Sequence, residues 1–361
     1  MSFISIFAPV QRLLLSVIVL CMAISGCIEE FDTGITKQGG TLVITGRITN
    51  SQGPHYVLIN RTTIEDRISN PVGGAHVTIL DEFDNEFQLF EEIPGSYILP
   101  IGSLNPFPGT AYRVKIEMTD GSRYASTLDR MPTNTVQDSI YYRFVTLEET
   151  SAEGIPIGTD YFETYIDSEI PETDQPIFVR WEVQESYQFY PVDLPDPFDQ
   201  QPLPCYFDGY PDPQRINLFN NREFAAGSFK NRLVARRGID EAFQSRYFSN
   251  VHQYSLSFNA YSYWNNISSN LNLVGGIFDV PPALVRSNIK NLDDPDELVY
   301  GYFEAALEKV SRVSVTDFDV PFEFEERCAY DPRLTRIDQY EPLCQDCQLS
   351  NQTIPRPVYF P

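Results

Sequence analysis

The feature that most constrains this chain is a series of short alternating segments, each ended by turn residues, between residues 40 and 131. Apolar and polar residues alternate in Thr41–Ile48, as they do in a strand with one buried face. Asp120-Gly121 is typical of a tight hairpin turn, and Arg123–Ser126 follows it as the returning strand. Because no helical pattern interrupts these segments, the sequence predicts a β-sandwich over residues 40–131. Its other strands are predicted at Tyr56–Ile59, His76–Leu80, Glu86–Phe90, Gly95–Leu99 and Ala111–Ile116.

Residues 132–361 are predicted to form a larger β-rich domain. The 25 Phe and 21 Tyr of the chain favour strands. Ile177–Val183 alternates, with Arg180 and Glu182 on the face opposite Trp181. Leu298–Ala305 and Val310–Val315 are interpreted as a final strand pair.

One helix is predicted at residues 258–272, with Ser257 as its N-cap. Apolar residues recur there every three or four positions, which predicts a stripe in contact with the core. The stripe consists of Phe258, Tyr261, Trp264, Ile267 and Leu271. The expected fold class is therefore mainly β, with an Ig-like β-sandwich followed by a larger β-rich domain that carries one amphipathic helix.

Residues 1–26 have the composition of a bacterial lipoprotein signal peptide. Arg12 precedes the apolar run Leu13–Met22, and Ile24–Cys27 has the small-residue spacing that a lipoprotein peptidase cuts before. The apolar run is shorter than the roughly 20 residues that a membrane-spanning helix needs. We expect Cys27 to be acylated, with residues 27–39 as a tether. The alternative is an ordinary secretory peptide that is cut elsewhere.

The expected anchor is followed by acidic residues. Glu29, Glu30 and Asp32 resemble the export tag that sends Bacteroidota lipoproteins to the outer face of the outer membrane, and the alternative is a solvated tether. The chain carries a formal net charge of −24. This charge excludes nucleic-acid binding through phosphate contacts and argues against a basic patch on an anionic bilayer. The negative charge is explained by solubility, and binding of a cationic partner or of calcium is the alternative.

Four cysteines remain after the signal peptide and Cys27 are set aside: Cys205, Cys328, Cys344 and Cys347. An even number in an exported protein indicates disulfides, and three connectivities are open. We favour two bridges that tie the C-terminal tail to the body, with Cys205 in one of them. A redox site at the CxxC of residues 344–347 and a four-cysteine zinc site are the alternatives.

The sequence contains few signs of catalysis. None of its three histidines has metal-ligand spacing, and neither a Gly-x-Ser-x-Gly elbow nor a glycine-rich phosphate loop occurs. We expect a protein that is not an enzyme and has no cofactor, with a hydrolase built from scattered carboxylates as an alternative. One acidic segment has enough oxygens to bind calcium, or else forms a solvated turn. Its residues are Asp293, Asp294, Asp296 and Glu297.

Residues 187–215 are dense in Tyr, Pro and Asp and predict a long irregular loop. Long loops often carry function, so their tyrosines are candidate ligand-stacking residues. The alternative is that they pack the loop against the body. The candidates are Tyr187, Tyr190, Tyr206 and Tyr210.

Two resemblances follow from longer motifs. Gly46–Ile48, Pro71–Ile79, Gly95–Tyr97 and Gly109–Val114 resemble the carboxypeptidase-regulatory-like sandwich, which implies a transthyretin-type fold and no chemistry. From residue 24 to the C-terminus the chain resembles the Bacteroidota lipoprotein family catalogued as domain of unknown function 4249. The motifs behind this second resemblance are Tyr254–Ser257, Ala260-Tyr261, Tyr263-Trp264, Gly275–Asp279, Pro281-Pro282, Ser287–Ile289, Asp294–Glu297, Gly301–Phe303 and Cys344–Cys347.

The second resemblance implies an outer-membrane lipoprotein that is often encoded beside a TonB-dependent transporter. We therefore expect a surface-exposed, lipid-anchored accessory or cargo-binding partner of such a transporter. A stand-alone glycan- or peptide-binding module that uses the aromatic segment 187–215 is the alternative. The tail after Cys347 departs from the family pattern, because Gln-Leu-Ser stands where an Arg and a Gly-rich run are common.

Overall fold

A computed structural model describes residues 40–361 except 64–69, 153, 195–201, 224–226, 273–283, 324–325, 335 and 351. The predicted signal peptide, the lipidation site Cys27 and the tether 27–39 lie outside the described residues. All described residues belong to one compact unit. Their fold is mainly β, with several sheets, as the sequence predicts.

The strands of the first part are β1 (Leu42–Thr49), β2 (His55–Arg61), β3 (Asn70–Pro71), β4 (His76–Asp81), β5 (Glu86–Gln88), β6 (Phe90–Ile93), β7 (Ser96–Leu99), β8 (Ala111–Glu117), β9 (Arg123–Ser126) and β10 (Asp129–Arg130). Those of the second part are β11 (Gln137–Thr150), β12 (Pro156–Glu169), β13 (Phe178–Phe189), β14 (Cys205–Gly209), β15 (Asn217–Asn220), β16 (Ser228–Gly238), β17 (Tyr247–Leu256), β18 (Ile289–Asn291), β19 (Val299–Tyr300), β20 (Phe303–Val315) and β21 (Thr353–Ile354). Helix α1 spans Phe258–Asn272 and helix α2 spans Pro342–Gln345.

Two sheets enclose the first hydrophobic core. The larger sheet has the order β21-β14-β13-β17-β20-β1-β2-β7-β6, and the smaller one has the order β18-β9-β8-β4-β5. Ile44 of β1 and Val57 of β2 pack in one cluster with Val77 of β4 and Val114 of β8. Strands β18 and β20 come from far along the chain, so residues beyond 131 complete this sandwich-like arrangement.

Strand β20 connects the two parts of the larger sheet. Its first residues run parallel to β1, with Arg47 opposite Glu304, and its later residues run antiparallel to β17. The predicted strand pair in residues 298–315 is therefore wrong, because β20 is one continuous strand. Ala305–Lys309 contains no Gly or Pro that would turn the chain.

A three-stranded sheet, β11-β12-β16, packs against β13 of the larger sheet. Val179, Trp181 and Val183 point toward it and join a second hydrophobic cluster with Ile166 and Val234. The alternation predicted for β13 is thus confirmed. Its opposite face carries polar and charged side chains.

Helix α1 begins at the predicted position, where the Ser257 hydroxyl accepts a hydrogen bond from the Ala260 amide at 3.1 Å. Tyr261 is buried, and the Phe258 ring lies 5.6 Å from that of buried Phe178, as predicted for a stripe in contact with the core. Leu271 is exposed, so the prediction is wrong at that end of the stripe. In the described part of the chain, no helix has the length and apolar character needed to cross a membrane.

Two disulfides hold the C-terminal tail, Cys205–Cys347 and Cys328–Cys344. Cys205 begins β14, which pairs antiparallel with β13 through Tyr187 and Phe207. Residues 187–189 and 205–209 of the segment 187–215 are therefore strand, and the prediction of an irregular loop is wrong there.

Candidate functional site

The candidate site is a cleft of about 580 Å³ over the seam between β1 and β20. Its floor is one face of the larger sheet. In-register pairs place Arg180 of β13 opposite Tyr254 of β17, and Arg47 of β1 opposite Tyr56 of β2. Because side chains alternate along a strand, these residues share the face that carries Glu304 of β20. The cleft volume lies within the range of about 300–1,000 Å³ that is typical of small-molecule sites.

Two arginines and two glutamates pair on this face of the sheet, and two of the four, Arg47 and Glu304, line the cleft. Arg47 Nε lies 2.5 Å from Glu304 Oε1, and one of the Arg180 guanidinium nitrogens lies 3.1 Å from the same oxygen. Glu182 Oε2 lies 3.0 Å from Arg180 and 3.4 Å from Arg47. The two positive and two negative charges cancel, so the floor is a neutral hydrogen-bonded unit.

The pKa shifts follow from burial and pairing together. Burial alone would lower the pKa of Arg47, but Glu304 together with Tyr254 and Glu182 outweighs this effect and raises it. Burial would raise the pKa of Glu304, yet Arg47 and Arg180 hold it below its ordinary value. Burial and the Arg47 charge lower the pKa of Arg180. These directions favour a carboxylate at Glu304 bound to guanidinium groups at neutral pH.

Aromatic rings cover the floor. The Trp264 indole of α1 donates a hydrogen bond to Glu304 Oε2 at 2.7 Å. The Arg180 guanidinium lies 4.0 Å from the Trp264 ring centroid, and the Arg47 guanidinium lies 4.0 Å from that of Tyr254. Both arginines are therefore held by a cation–π contact in addition to their ion pairs.

The walls of the cleft are mainly aromatic and uncharged. Tyr56 is 40 % exposed and Tyr210 is 54 % exposed, and both line the opening. Tyr263 and Tyr302 pack against each other, with their ring centroids 4.8 Å apart. The remaining polar lining is largely uncharged and includes Thr45, Thr49, Ser51 and Gln184.

One further carboxylate lines the cleft. Glu308 Oε1 lies 2.7 Å from His252 Nδ1, and the amide of Glu308 donates to Asn50 Oδ1 at 2.6 Å. Burial would raise the pKa of Glu308, but its interactions with His252, Thr49 and Arg47 together lower it. This pair lies on β17 and β20, beside the four-charge unit.

The seam depends on glycines. Gly301 has φ +91°, and a Cβ at that position would collide with the carbonyl oxygen of Ile44. A Cβ on Gly46 would lie 2.9 Å from the Phe303 ring. Because glycine has no Cβ, the chain can bring β20 close enough to β1 to place Glu304 beside Arg47.

The four candidate tyrosines do not form one platform. Tyr187 stacks on Phe207, with ring centroids 5.4 Å apart, and Tyr206 packs edge-on against Phe360. The Tyr190 hydroxyl accepts a hydrogen bond from Gln188, outside the cleft. Tyr210, whose hydroxyl accepts from Gln184 at 3.1 Å, is the one candidate among the four that lines the cleft.

Of the four predicted calcium ligands, Asp293 and Glu297 are bound by neighbouring side chains, and Asp294 accepts a hydrogen bond from the Asp296 amide. The Asp293 carboxylate accepts hydrogen bonds from the amide and guanidinium of Arg123. The Glu297 carboxylate accepts from the Tyr124 hydroxyl at 2.9 Å and from Asn291. Among the residues that the structure describes, no group of three or more His, Cys, Asp or Glu side chains is arranged to hold a metal ion.

Sequence reasoning did not identify Arg47, Glu304 and Trp264 as parts of one site. Arg47 and Glu304 are 257 positions apart. The available signal was local: Gly46 and Gly301 each precede one of these charged residues within three positions. A charged residue that lies in an apolar strand and close to a glycine indicates a buried polar contact.

Comparison with protein families gives one match, to the family described as Domain of unknown function (DUF4249), over residues 28–312. No curated protein and no solved structure matches the chain. The matched region includes every residue of the cleft, from Thr45 to Glu308. On this match, the chain belongs to the DUF4249 family.

Proposed function

We propose that this chain is a lipid-anchored, non-enzymatic protein on the outer face of the outer membrane, and that it binds cargo for a TonB-dependent transporter or assembles with one. The anchor rests on Ile24–Cys27, and the outward location rests on Glu29 and Glu30. A Bacteroidota origin and a carboxypeptidase-regulatory-like N-terminal module are parts of the same proposal. The family match supports this proposal only because the sequence resemblance associates that family with outer-membrane lipoproteins.

The observation that carries a binding role is the self-paired floor of the cleft. Arg47, Arg180, Glu182 and Glu304 neutralise one another, and Trp264 and Tyr254 cover them. Catalytic acids, bases and nucleophiles instead need groups available to the substrate. A preformed aromatic opening above a neutral floor is suited to holding a ligand.

The anchor is tested by Cys27→Ser. We expect the unsubstituted chain to fractionate with outer membranes and to yield an N-terminal peptide with acyl chains on Cys27 by mass spectrometry. Cys27→Ser should be released from the membrane fraction. Cys21→Ser, inside the expected signal peptide, is the matched control and should leave the mature product unchanged. Recovery of unacylated Cys27 in the membrane fraction would contradict the anchor.

The partnership is tested by affinity purification of the tagged, acylated chain from solubilised outer membranes after chemical cross-linking. We expect a TonB-dependent transporter to co-purify in near-stoichiometric amount. An unrelated outer-membrane lipoprotein with the same tag is the control. Recovery of the chain with no transporter enriched over that control would refute the partnership and leave the anchor unaffected.

A stand-alone glycan- or peptide-binding module that uses the segment 187–215 remains the alternative. Its four tyrosines face different surroundings, so a joint platform has little geometric support. Tyr190→Ala and Tyr206→Ala test it directly. Loss of ligand binding in both variants would favour this alternative over the cleft.

A further inference from the structure

We infer that the cleft takes a neutral, hydroxyl-rich ligand of the carbohydrate class. This inference rests on the proposed function, because it names the cargo that the cleft would hold. Three properties of the cleft carry it: the cancelled charge of its floor, the uncharged polar groups of its lining and the exposed aromatic rings at its opening.

The floor selects against charged ligands. An anion or a cation would have to compete with ion pairs of 2.5–3.1 Å between Arg47, Arg180 and Glu304, of which Arg180 and Glu304 are buried. The net charge of −24 also repels anions at long range. A cation would meet two guanidinium groups that already occupy the faces of Tyr254 and Trp264. A neutral ligand avoids each of these costs.

Apart from the Glu308 carboxylate, which is paired with His252, the lining offers hydrogen bonds without charge. Thr45 is an exposed hydroxyl residue beside Arg47, and Gln184 contributes an amide on β13. Hydroxyl and amide groups both donate and accept hydrogen bonds. The hydroxyl groups of a sugar do the same, so a sugar can form hydrogen bonds with these side chains although neither partner is charged.

The opening presents apolar ring faces. Tyr56 and Tyr210 remain 40 % and 54 % exposed although they border a cleft. An aromatic face carries the negative part of the ring quadrupole, and the C–H groups that line one face of a sugar ring are weakly positive. Stacking of a sugar ring on Tyr56 or Tyr210 would cover these rings while its hydroxyls reach the polar lining.

The chain contains a built-in reporter for this ligand. Of its two tryptophans, Trp264 lines the cleft and Trp181 is buried in another core. We propose titrating the acylated Trp181→Phe chain, in a detergent without a sugar head group, with neutral oligosaccharides that contain glucose, mannose, galactose or xylose. Uronic-acid oligosaccharides and glucosamine oligosaccharides are the charged probes. Calorimetry on the chain that retains Trp181 repeats each titration without depending on that substitution.

We expect at least one neutral oligosaccharide to change Trp264 fluorescence saturably, and the charged probes to bind at least tenfold more weakly. Tyr56→Ala and Tyr210→Ala should each weaken binding about 2- to 12-fold, since one aromatic contact contributes about 0.5–1.5 kcal/mol. Tyr330→Ala is the matched control, because Tyr330 is a similarly exposed tyrosine outside this cleft, and it should leave binding unchanged.

The inference would be overturned by any one of three results: no neutral oligosaccharide binds, a charged probe binds more tightly than the neutral ones, or both cleft variants bind as the unsubstituted chain does. The co-purification experiment is scored separately. If a transporter co-purifies but none of the sugars binds, the ligand class is wrong and the proposed partnership stands. If a neutral sugar binds in the cleft and no transporter co-purifies, the ligand class stands and the partnership is wrong.

Discussion

Arg47 and Glu304 lie directly opposite each other on parallel strands β1 and β20, with Arg47 Nε 2.5 Å from Glu304 Oε1, although 257 positions separate them in the chain. Only 4 % of the Glu304 side chain is exposed. This pair connects the first sandwich-like region to the second part of the larger sheet. The ion pairs of the floor therefore also hold these two parts of the structure together.

Glu304→Gln should destabilise the protein strongly. The substitution removes a carboxylate that faces both Arg47 and Arg180, and it leaves Glu182 as the one remaining carboxylate paired with the two positive charges. Loss of one partner from a buried ion pair typically costs about 3–5 kcal/mol. We expect a fall of that size in the free energy of unfolding, measured by guanidinium denaturation.

Arg333→Gln is the control for that experiment. Its ion pair with Asp331 is on the surface, where the Arg333 side chain is 86 % exposed. Solvent screens such a pair, so the unfolding curve should not change measurably. Equal losses from Arg333→Gln and Glu304→Gln would show that the Glu304 pairing has no special structural role.

Gly301→Ala should also be strongly destabilising. Residue 301 combines a φ of +91° with a close approach to the Ile44 carbonyl, so a Cβ adds both backbone strain and a steric clash. Gly102→Ala is the matched control, since Gly102 has φ +79° and open space around it. Strain alone costs about 1–2 kcal/mol. Thermal denaturation should therefore show a larger loss for Gly301→Ala, and equal losses would refute a tight seam.

Asp129 should give the protein a pH-dependent component of stability. Burial raises its pKa to about 6, although hydrogen bonds from Ser257 and the Ala305 amide act to lower it. Its pKa in an unfolded chain is about 3.9. Between these values the folded state holds a proton that the unfolded state has released. This contribution is therefore complete below about pH 4 and is lost as the pH rises through about 6.

The Asp129 contribution is measured against Asp129→Asn, which cannot titrate and keeps an oxygen for the Ala305 amide. Other carboxylates change stability over the same range, so the difference between the two chains is the relevant quantity. We expect the unsubstituted chain to lose about 3 kcal/mol relative to Asp129→Asn between about pH 4 and pH 7. If the free energies of unfolding of the two chains change in parallel across that pH range, the raised pKa of Asp129 is contradicted.

Ser257→Ala should weaken the start of helix α1. The Ser257 hydroxyl accepts from the Ala260 amide and donates to the Asp129 carboxylate at 2.5 Å. Loss of an N-cap costs about 0.5–2 kcal/mol, and Asp129 loses a donor as well. Ser262→Ala, inside the same helix, should change stability by less, because its hydroxyl only bonds back to the Phe258 carbonyl. Denaturation curves of both variants make the comparison.

The two disulfides should contribute unequally. Cys205–Cys347 closes a separation of 142 residues, and Cys328–Cys344 closes one of 16. In the chain-entropy account, loops of about 15 and about 100 residues give roughly 3 and 4.7 kcal/mol. The Cys205→Ala/Cys347→Ala chain should therefore unfold at a lower denaturant concentration than Cys328→Ala/Cys344→Ala. The reverse order would mean that local packing outweighs loop closure.

Much of the local structure is predictable because it depends on neighbouring residues. The alternation at Thr41–Ile48 predicts β1 to within a residue at each end, and the Ser257 cap predicts the start of α1. The prediction fails for the strand pair in residues 298–315, because a run of strand-forming residues does not reveal its partner. Sequence pattern likewise did not distinguish Trp264, which covers a buried charge, from the other residues of its apolar stripe.

The sequence by itself determined the mainly β class, the positions of most strands, the family and the number of cysteines available for disulfides. Each of these depends on side-chain periodicity, on motifs or on residue counts. Only the tertiary structure decided that β20 lies between β1 and β17, and therefore that Arg47, Arg180, Glu182 and Glu304 share one floor. The physical reason is that pairing between distant strands is selected by packing and buried charge across the whole chain, which no local window contains.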